Sequence, residues 1–358
     1  MNGFERVERV FARQNVDHAP IGEDFWGETI EKWQKEGHLK AGEDAVEHFN
    51  LDLHRSGLIK WTADIDFKPQ IIEENLETML LLDGNGAINR TFKHKAGGVE
   101  HVGYRIKEQR DWEELIKPHL VQVDRRRIPF ERYREKRKAA AERGMHFSSD
   151  AFGPFEMIHR MCGHETLLMN IALEPEWVKD MVMTYTDFNI MHFEVLFQEE
   201  GLPSGTWVAD DLGFKEKPFI SPAMFEDVFM PGYQKMNDYL HSKGLKVMLH
   251  SCGYVEPLVS GIIESGFDCL EGLEAKAGMD IRRIFQQHGD QLVFFGNMDI
   301  LSLERNDRQI IDEQMEKLSH LIKNGVRYML HSDHSISPKI EYDTYCYVLD
   351  RARSVLHA

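Results

Sequence analysis

Lys246-Val247-Met248-Leu249-His250-Ser251-Cys252-Gly253 is an apolar run that stops abruptly in a histidine, a cysteine and a glycine. It is too short for a helix and reads as a buried parallel strand, which puts His250 and Cys252 where the strand gives way to its loop. In α/β barrels that edge carries the chemistry. An imidazole and a thiolate two residues apart at a strand end project to one side, and together they suit zinc better than a hard cation.

Outward from this run, strand-like segments alternate with helical patterns, as a parallel sheet wound with helices requires. The strand segments are Ala19 to Phe25, Met145 to Asp150, Gly205 to Asp210, Lys246 to His250, Asp268 to Glu271, Leu292 to Gly296 and Arg327 to His331; an eighth is not evident. Amphipathic helices between them, such as Pro175 to Glu199 and Asp307 to Asn324, are long enough to cross back over the sheet. No glycine-rich dinucleotide fingerprint follows the first strand, so the expected fold is α/β, a (β/α)8 TIM-type barrel forming one domain over residues 1–358. The rhythm breaks between about residues 52 and 124. There, Glu73 to Leu82, a turn at Asp83-Gly84-Asn85-Gly86 and Ala87 to Lys95 read as an antiparallel hairpin inserted near the N-terminus. After Ala96-Gly97-Gly98, a further strand is expected around Val102 to Lys107.

The 358 residues carry a formal net charge of −17, and the basic cluster Arg125 to Lys138 is interleaved with Glu131 and Glu135, so it reads as a solvated helix face. No nucleic-acid partner is expected. No stretch approaches the roughly 18 apolar residues of a membrane span, and Met1 to Asn15 reads as a charged amphipathic helix without a signal-peptide core. A cytoplasmic location is expected, in which the four cysteines are thiols or ligands. A homodimer is left open.

The order of motifs in the C-terminal half carries a resemblance: Asp210-Asp211 at a strand end, Ser221-Pro222 opening a helix, His250-Ser251-Cys252-Gly253, Gly266-Phe267-Asp268, Glu274 before Gly278-Met279-Asp280, Gly296-Asn297-Met298-Asp299, and His331-Ser332-Asp333-His334-Ser335. In this order and spacing the chain resembles the uroporphyrinogen decarboxylase superfamily over essentially its whole length. Decarboxylases of that superfamily carry an Arg-Gln-Ala-Gly-Arg run after the first strand, which holds the substrate's carboxylates. Here Glu23-Asp24-Phe25-Trp26-Gly27-Glu28 stands instead, and an acidic entrance repels a polycarboxylate.

The resemblance is therefore to the branch of zinc-dependent methyltransferases that exchange methyl groups with a corrinoid protein. It implies zinc ligands at His250, Cys252 and Glu274, with His334 or His331 as the last. That branch uses a cysteine or a histidine in the final position; the related coenzyme M methyltransferases place a cysteine there, and this chain has none between Cys269 and Cys346. The chain also lacks an Asp-x-His-x-x-Gly cobalamin motif, so a corrinoid is expected to arrive on a separate protein. The expected substrate is a small methylated molecule, such as a methoxylated aromatic in an O-demethylase reaction. Aromatic and acidic residues at strand ends form the expected cradle: Phe25, Trp26, Asp150, Phe152, Phe155 and Trp207 for binding, Asp210 and Asp211 for catalysis. The rival readings are a decarboxylase of a small carboxylic acid and a non-catalytic ligand-binding barrel.

Overall fold

Seven parallel strands curl around one another in the order β1, β6, β7, β8, β9, β10, β11. They are β1 (Leu53–Leu58), β6 (His146–Phe152), β7 (Gly205–Ala209), β8 (Lys246–Ser251), β9 (Cys269–Gly272), β10 (Val293–Gly296) and β11 (Tyr328–Met329). The computed structural model describes residues 1–94 and 99–357. Strands β1 and β11, the two edges of the sheet, are joined through the segment between helices Gly3–Phe11 and Gly27–Lys35. Ile21 bridges Leu330 in parallel, the Gly22 amide donates to Leu330 O, and the Asp52 amide donates to Ile21 O. The Asp52 carboxylate returns the bond by accepting from the Ile21 amide at 2.8 Å. The stretch from Ala19 to Phe25 thus acts in the barrel by single bridges and not as a full strand.

The eighth strand is β1, which lies in the stretch that reads from sequence as the start of the insertion. Its sequence, Leu-His-Arg-Ser-Gly-Leu, hides it: Arg55 faces a polar cavity, and Gly57 has φ +87°. Neither is expected of a barrel strand. The insertion itself is a four-stranded antiparallel sheet of β2 (Gln70–Glu74), β3 (Thr78–Leu82), β4 (Ala87–Phe92) and β5 (Glu100–Tyr104). The hairpin between β3 and β4 turns at Asp83 to Gly86 as expected, with the Asp83 carboxylate accepting from the Asn85 and Ala87 amides. Glu73 to Leu82 is two strands and not one, because Asn75 Oδ1 accepts from the Glu77 and Thr78 amides and turns the chain there. Lys95 to Gly98 lie outside the described residues.

Helices follow most barrel strands, the longest being Pro175–Glu200. No described helix is long and apolar enough to cross a membrane. The basic cluster is neutralised at the surface, with Arg125 paired to Glu199, Arg126 to Asp66 and Arg134 to Glu200. One buried cluster fills the space between sheet and helices. A second occupies the bottom of the barrel interior, where Leu53, Met248, Cys269, Val293, Phe295 and Met329 meet Val7, Val10 and Phe11 of the N-terminal helix Gly3–Phe11. That helix plugs one end of the barrel, leaving the ends of the strands opposite as the mouth.

Candidate active site

Strand alternation brings a charged layer to the barrel interior one step above the apolar one. On β9, Cys269 faces the bottom cluster and Glu271, two residues on, faces the mouth; on β8 the corresponding pair is Met248 and His250. His250 and Glu271 are register partners, and His250 Nδ1 makes a short hydrogen bond to Glu271 Oε2. Glu271 Oε1 lies 3.5 Å from His331 Nδ1, which in turn lies 3.3 Å from Glu23 Oε1. Two carboxylates and two imidazoles therefore alternate across the barrel.

Burial would raise the Glu271 pKa, but the adjoining His250 and His331 charges prevail and hold it down to about 2. For His250 burial works downward, and Glu271 more than offsets it, so the imidazole is pushed well above its usual range. Glu23 is dominated by burial, only partly opposed by His331, and rises to about 7.

Above this layer the loops converge. Cys252 Sγ lies 3.4 Å from His250 Nε2. Ligand atoms of Cys252, Glu274 and His334 all lie within 4.8 Å of one another, and a second group of the same kind joins Cys252 to His250 and Asp211. Burial pushes the Cys252 thiol up to about 11 despite the neighbouring His250. His334 is lowered by burial and by Lys276, so it is neutral at pH 7 and free to ligate. Tetrahedral zinc with one thiolate and N/O ligands needs donor atoms about 3.3–3.8 Å apart. The Cys252 group, with its ligand atoms within 4.8 Å of one another, is somewhat wider than that spacing, and its thiol, carboxylate and imidazole are donor types that zinc takes. Of the two C-terminal histidines, His334 joins Cys252, whereas His331 belongs to the Glu23 and Glu271 network.

The loops are held by groups that act through the backbone. Leu273, immediately before Glu274, has φ +56°, a conformation that costs a branched L residue on the order of 1 kcal/mol or more. Asn297 holds it there, its Nδ2 donating to Leu273 O at 2.7 Å and to Met279 O at 3.2 Å. Buried Asp333 accepts from the Ala275 amide with one oxygen and the Ile300 amide with the other, both at 2.9 Å, which ties the Glu274 loop to the His334 loop. The Asp211 carboxylate accepts from the Cys252 amide at 3.0 Å. Gly253 and Gly213 meet backbone to backbone, where an added Cβ would come within 2.5 Å of the facing chain. The glycine that ends the His-Ser-Cys-Gly run is there for close approach.

A cavity of about 380 Å³, reached from His250 across the Trp207 ring, runs between the Gly22 to Phe25 segment and β1, lined among others by Glu23, Arg55, Asp150, Trp207, Phe295 and His331. The remaining sequence-derived candidates distribute unevenly around it. Trp26 is 43% exposed and stacks on the His334 ring, centroids 5.8 Å apart. Phe25 lines the cavity but packs its ring into an aromatic cluster with Trp33, Phe49 and Tyr345.

Trp207 lines it too, yet Arg55 sits 3.9 Å over the ring and His250 lies 5.0 Å from it. It is a wedge between the guanidinium and the imidazole and leaves little open face for stacking. Phe152 packs on Trp61 and lies beneath Arg160. Phe155 is fully buried against Phe219 and Phe229, a core residue remote from the cavity lining. Asp210 is fully buried and spends its oxygens on the Phe155 and Glu156 amides and the Tyr233 hydroxyl. That carboxylate anchors the start of helix Pro154–Leu173 and does not reach the donors, in contrast to the catalytic role its position suggests.

Sequence reasoning passed over Glu271, Arg55 and Asp333. For Glu271 the signal was present, a carboxylate inside an otherwise apolar strand, in phase with Cys269. A third acidic and imidazole group, Asp44, Glu47 and His54, lies at the outer end of the cavity. Lys136 Nζ, 2.6 Å from Asp44, already supplies its cation.

A model of the family described as uroporphyrinogen decarboxylase (URO-D) matches residues 87–355. Among solved structures, a methyltransferase from Methanosarcina mazei is similar over 99% of this chain and 98% of its own, with a TM-score of 0.71 and 16% identity. At that identity the likeness is one of fold. The C-terminal domain of a putative chitinase from Desulfitobacterium hafniense DCB-2 matches 63% of this chain and 83% of its own at 10% identity, with a TM-score of 0.41, too slight to argue from. No curated protein matches.

Proposed function

Starting from the fact that this chain belongs to the uroporphyrinogen decarboxylase family, we propose that it is a zinc-dependent methyltransferase. It moves a methyl group between a small methylated substrate and a corrinoid carried by a separate protein. The observation that carries this reading is the convergence of a thiol, a carboxyl group and a neutral imidazole, Cys252, Glu274 and His334, at the barrel mouth beside His250. Zinc held there supplies Lewis acidity toward a substrate heteroatom or lowers the pKa of a bound thiol.

The chain's own residues do the rest. Glu271 orients His250 and fixes which ring nitrogen faces Cys252. Trp26 covers His334 from solvent. Glu23, titrating near 7, lines the cavity and is poised to give a proton to the oxygen or nitrogen from which a methyl group departs. An acid with that pKa serves either direction of transfer at neutral pH.

Decarboxylation of a polycarboxylate is disfavoured by the same geometry. Glu23, Asp24 and Asp150 all line the cavity, and the interior cation Arg55 already pairs with Asp24 at 2.5 Å. Metal analysis of the purified chain, with a transfer assay using cob(I)alamin and a corrinoid protein of the same source, tests the proposal. About one zinc per chain and methylation of either acceptor are expected. A chain that binds no zinc, or that is zinc-loaded and inert toward both acceptors across methoxylated and methylamine donors, would return the decarboxylase or ligand-binding reading.

A further inference from the structure

The barrel wall has one seam that backbone hydrogen bonds do not close. On one side, residues 22–25 bond to the last strand and the loop after it, the Gly22 amide to Leu330 O and the Ile336 amide to Asp24 O. On the other side they face β1. Below them, the Asp52 amide donates to Ile21 O and the Asp52 carboxylate accepts from the Ile21 amide. Among the described residues, no backbone hydrogen bond joins residues 22–25 to Leu53–Leu58. The upper seam is held instead by a side-chain pair, Arg55 on Asp24 at 2.5 Å, with 31% and 34% of the two side chains exposed.

The cavity crosses the wall at this seam. Side chains alternate along β1, so Leu53 and Arg55 point into the barrel and His54 points out, toward Asp44 and Glu47. The cavity is lined from both sides of the wall, by Leu53, Met248 and Phe295 within and by Val46, His54 and Lys136 without. One continuous space therefore links the barrel interior to the helix layer. Gly57 keeps the wall thin there. Its amide donates to Asp150 within at 2.8 Å, and a Cβ on it would come within 2.7 Å of Arg132 Nε outside. With φ +87° the position suits glycine. At the inner end Trp207 stands between the cavity and His250.

We propose that the seam is a lateral passage, gated by the Arg55–Asp24 pair, through which a small molecule reaches the barrel interior from the flank. The methyl-transfer reading supplies the need. A corrinoid protein seated over Cys252, Glu274 and His334 covers the mouth, and a small reactant must then come and go by another way. The geometry supplies the means. A partly hydrated ion pair opens by side-chain rotation at little cost, whereas parting two paired strands breaks their ladder. The inference rests on that reading for what passes and when; the passage itself does not depend on it.

The test is the rate at which methyl methanethiosulfonate, a small neutral thiol reagent, reaches a reporter inside. Ser148→Cys supplies the reporter. Ser148 lines the cavity, is 1% exposed, and its Oγ has no hydrogen-bond partner among the described residues, so the exchange breaks no bond. Labelling in the zinc-loaded full chain is followed by mass spectrometry of the peptide that contains residue 148. Val46→Trp fills the outer end and should slow labelling tenfold or more. Asp24→Asn removes the charge of the gate and should speed it severalfold. Leu301→Cys, a separate reporter on the helix that follows β10 at the mouth, sits at a position 50% exposed and should label at one rate in all three backgrounds. Circular dichroism checks that each fold is kept; should Val46→Trp not fold, the Asp24→Asn result decides.

Equal rates at residue 148 in all three backgrounds, no labelling there in the unplugged chain, or parallel slowing of both reporters overturns the proposal. Methyl transfer to cob(I)alamin is measured separately. Transfer by a chain whose labelling ignores the seam sinks the passage alone. Labelling gated at the seam, with no zinc-dependent transfer, keeps the passage and sinks the proposed function.

Discussion

Two layers of the same barrel, one residue pair apart along the same strands, have opposite character. The lower is Leu53, Met248, Cys269, Val293, Phe295 and Met329, sealed by the N-terminal helix. The upper is Glu23, Arg55, Asp150, His250, Glu271 and His331, each buried or half-buried and most of them perturbed. The lower layer removes apolar surface from water and holds the strands together. The upper layer desolvates charge, which is unfavourable unless each group finds a partner. The difference teaches that stability and chemistry are separated by height in the barrel and not by segment of the chain. A substitution in one layer should therefore move one property and leave the other.

The sharpest test lies above the upper layer. Cys252→Ala should reduce zinc from about one per chain to a trace and lower methyl transfer by about a thousandfold, about 4 kcal/mol of barrel-mouth function. The urea midpoint should hardly move, because the apolar layer is intact; a collapse of the midpoint would break the separation. Met329→Ala should do the reverse. Deleting a fully buried side chain at the bottom is expected to lower unfolding free energy by about 2–5 kcal/mol, with zinc stoichiometry unchanged.

Asp150→Asn sharpens the comparison within the upper layer. Burial raises the folded-state pKa of Asp150 from 3.8 to about 6, so ionising it costs stability. The cost is absent below the ordinary pKa, grows as pH rises from about 4 to about 6 and stays constant above; its size is on the order of 2–3 kcal/mol. The Asn variant lacks it. Its unfolding free energy should exceed that of the wild type by more at pH 8 than at pH 5, and an equal difference at the two values would show that Asp150 is not desolvated.

The smallest effect concerns the loops. Asp333→Ala frees the Ala275 and Ile300 amides and loosens Glu274 relative to His334. Zinc affinity, read by competition with a chelator, should weaken by about ten- to a hundredfold with the fold retained.

Much of this architecture was legible because barrel strands are short, apolar and regularly spaced. β6 to β10 and the turn at Asp83 to Gly86 each announce themselves by local pattern. β1 did not, since its arginine and left-handed glycine serve the cavity and spoil the pattern. The proposed donors His250, Cys252, Glu274 and His334 stand out as residue types, thiol and imidazole at strand ends. Phe155 and Asp210 stood at equally suggestive positions and proved to be a core ring and a helix anchor. One step of strand alternation or helix phase separates a residue facing the cavity from one facing the helices.

By itself, the order of apolar runs and helices determined the class of fold, since local pattern dictates which segments become strands and chain connectivity makes them parallel. It also determined which residues bring thiol and imidazole to the mouth. Only the tertiary structure decided that His334 and not His331 meets Cys252, that Glu271 backs His250, and that Asp150 and Ser148 each keep a buried oxygen without a partner among the described residues. Those pairings join residues 21 and 82 positions apart in the chain or depend on what no neighbouring residue reaches. Their distances are set by the closure and stagger of the whole barrel, a property no local stretch contains.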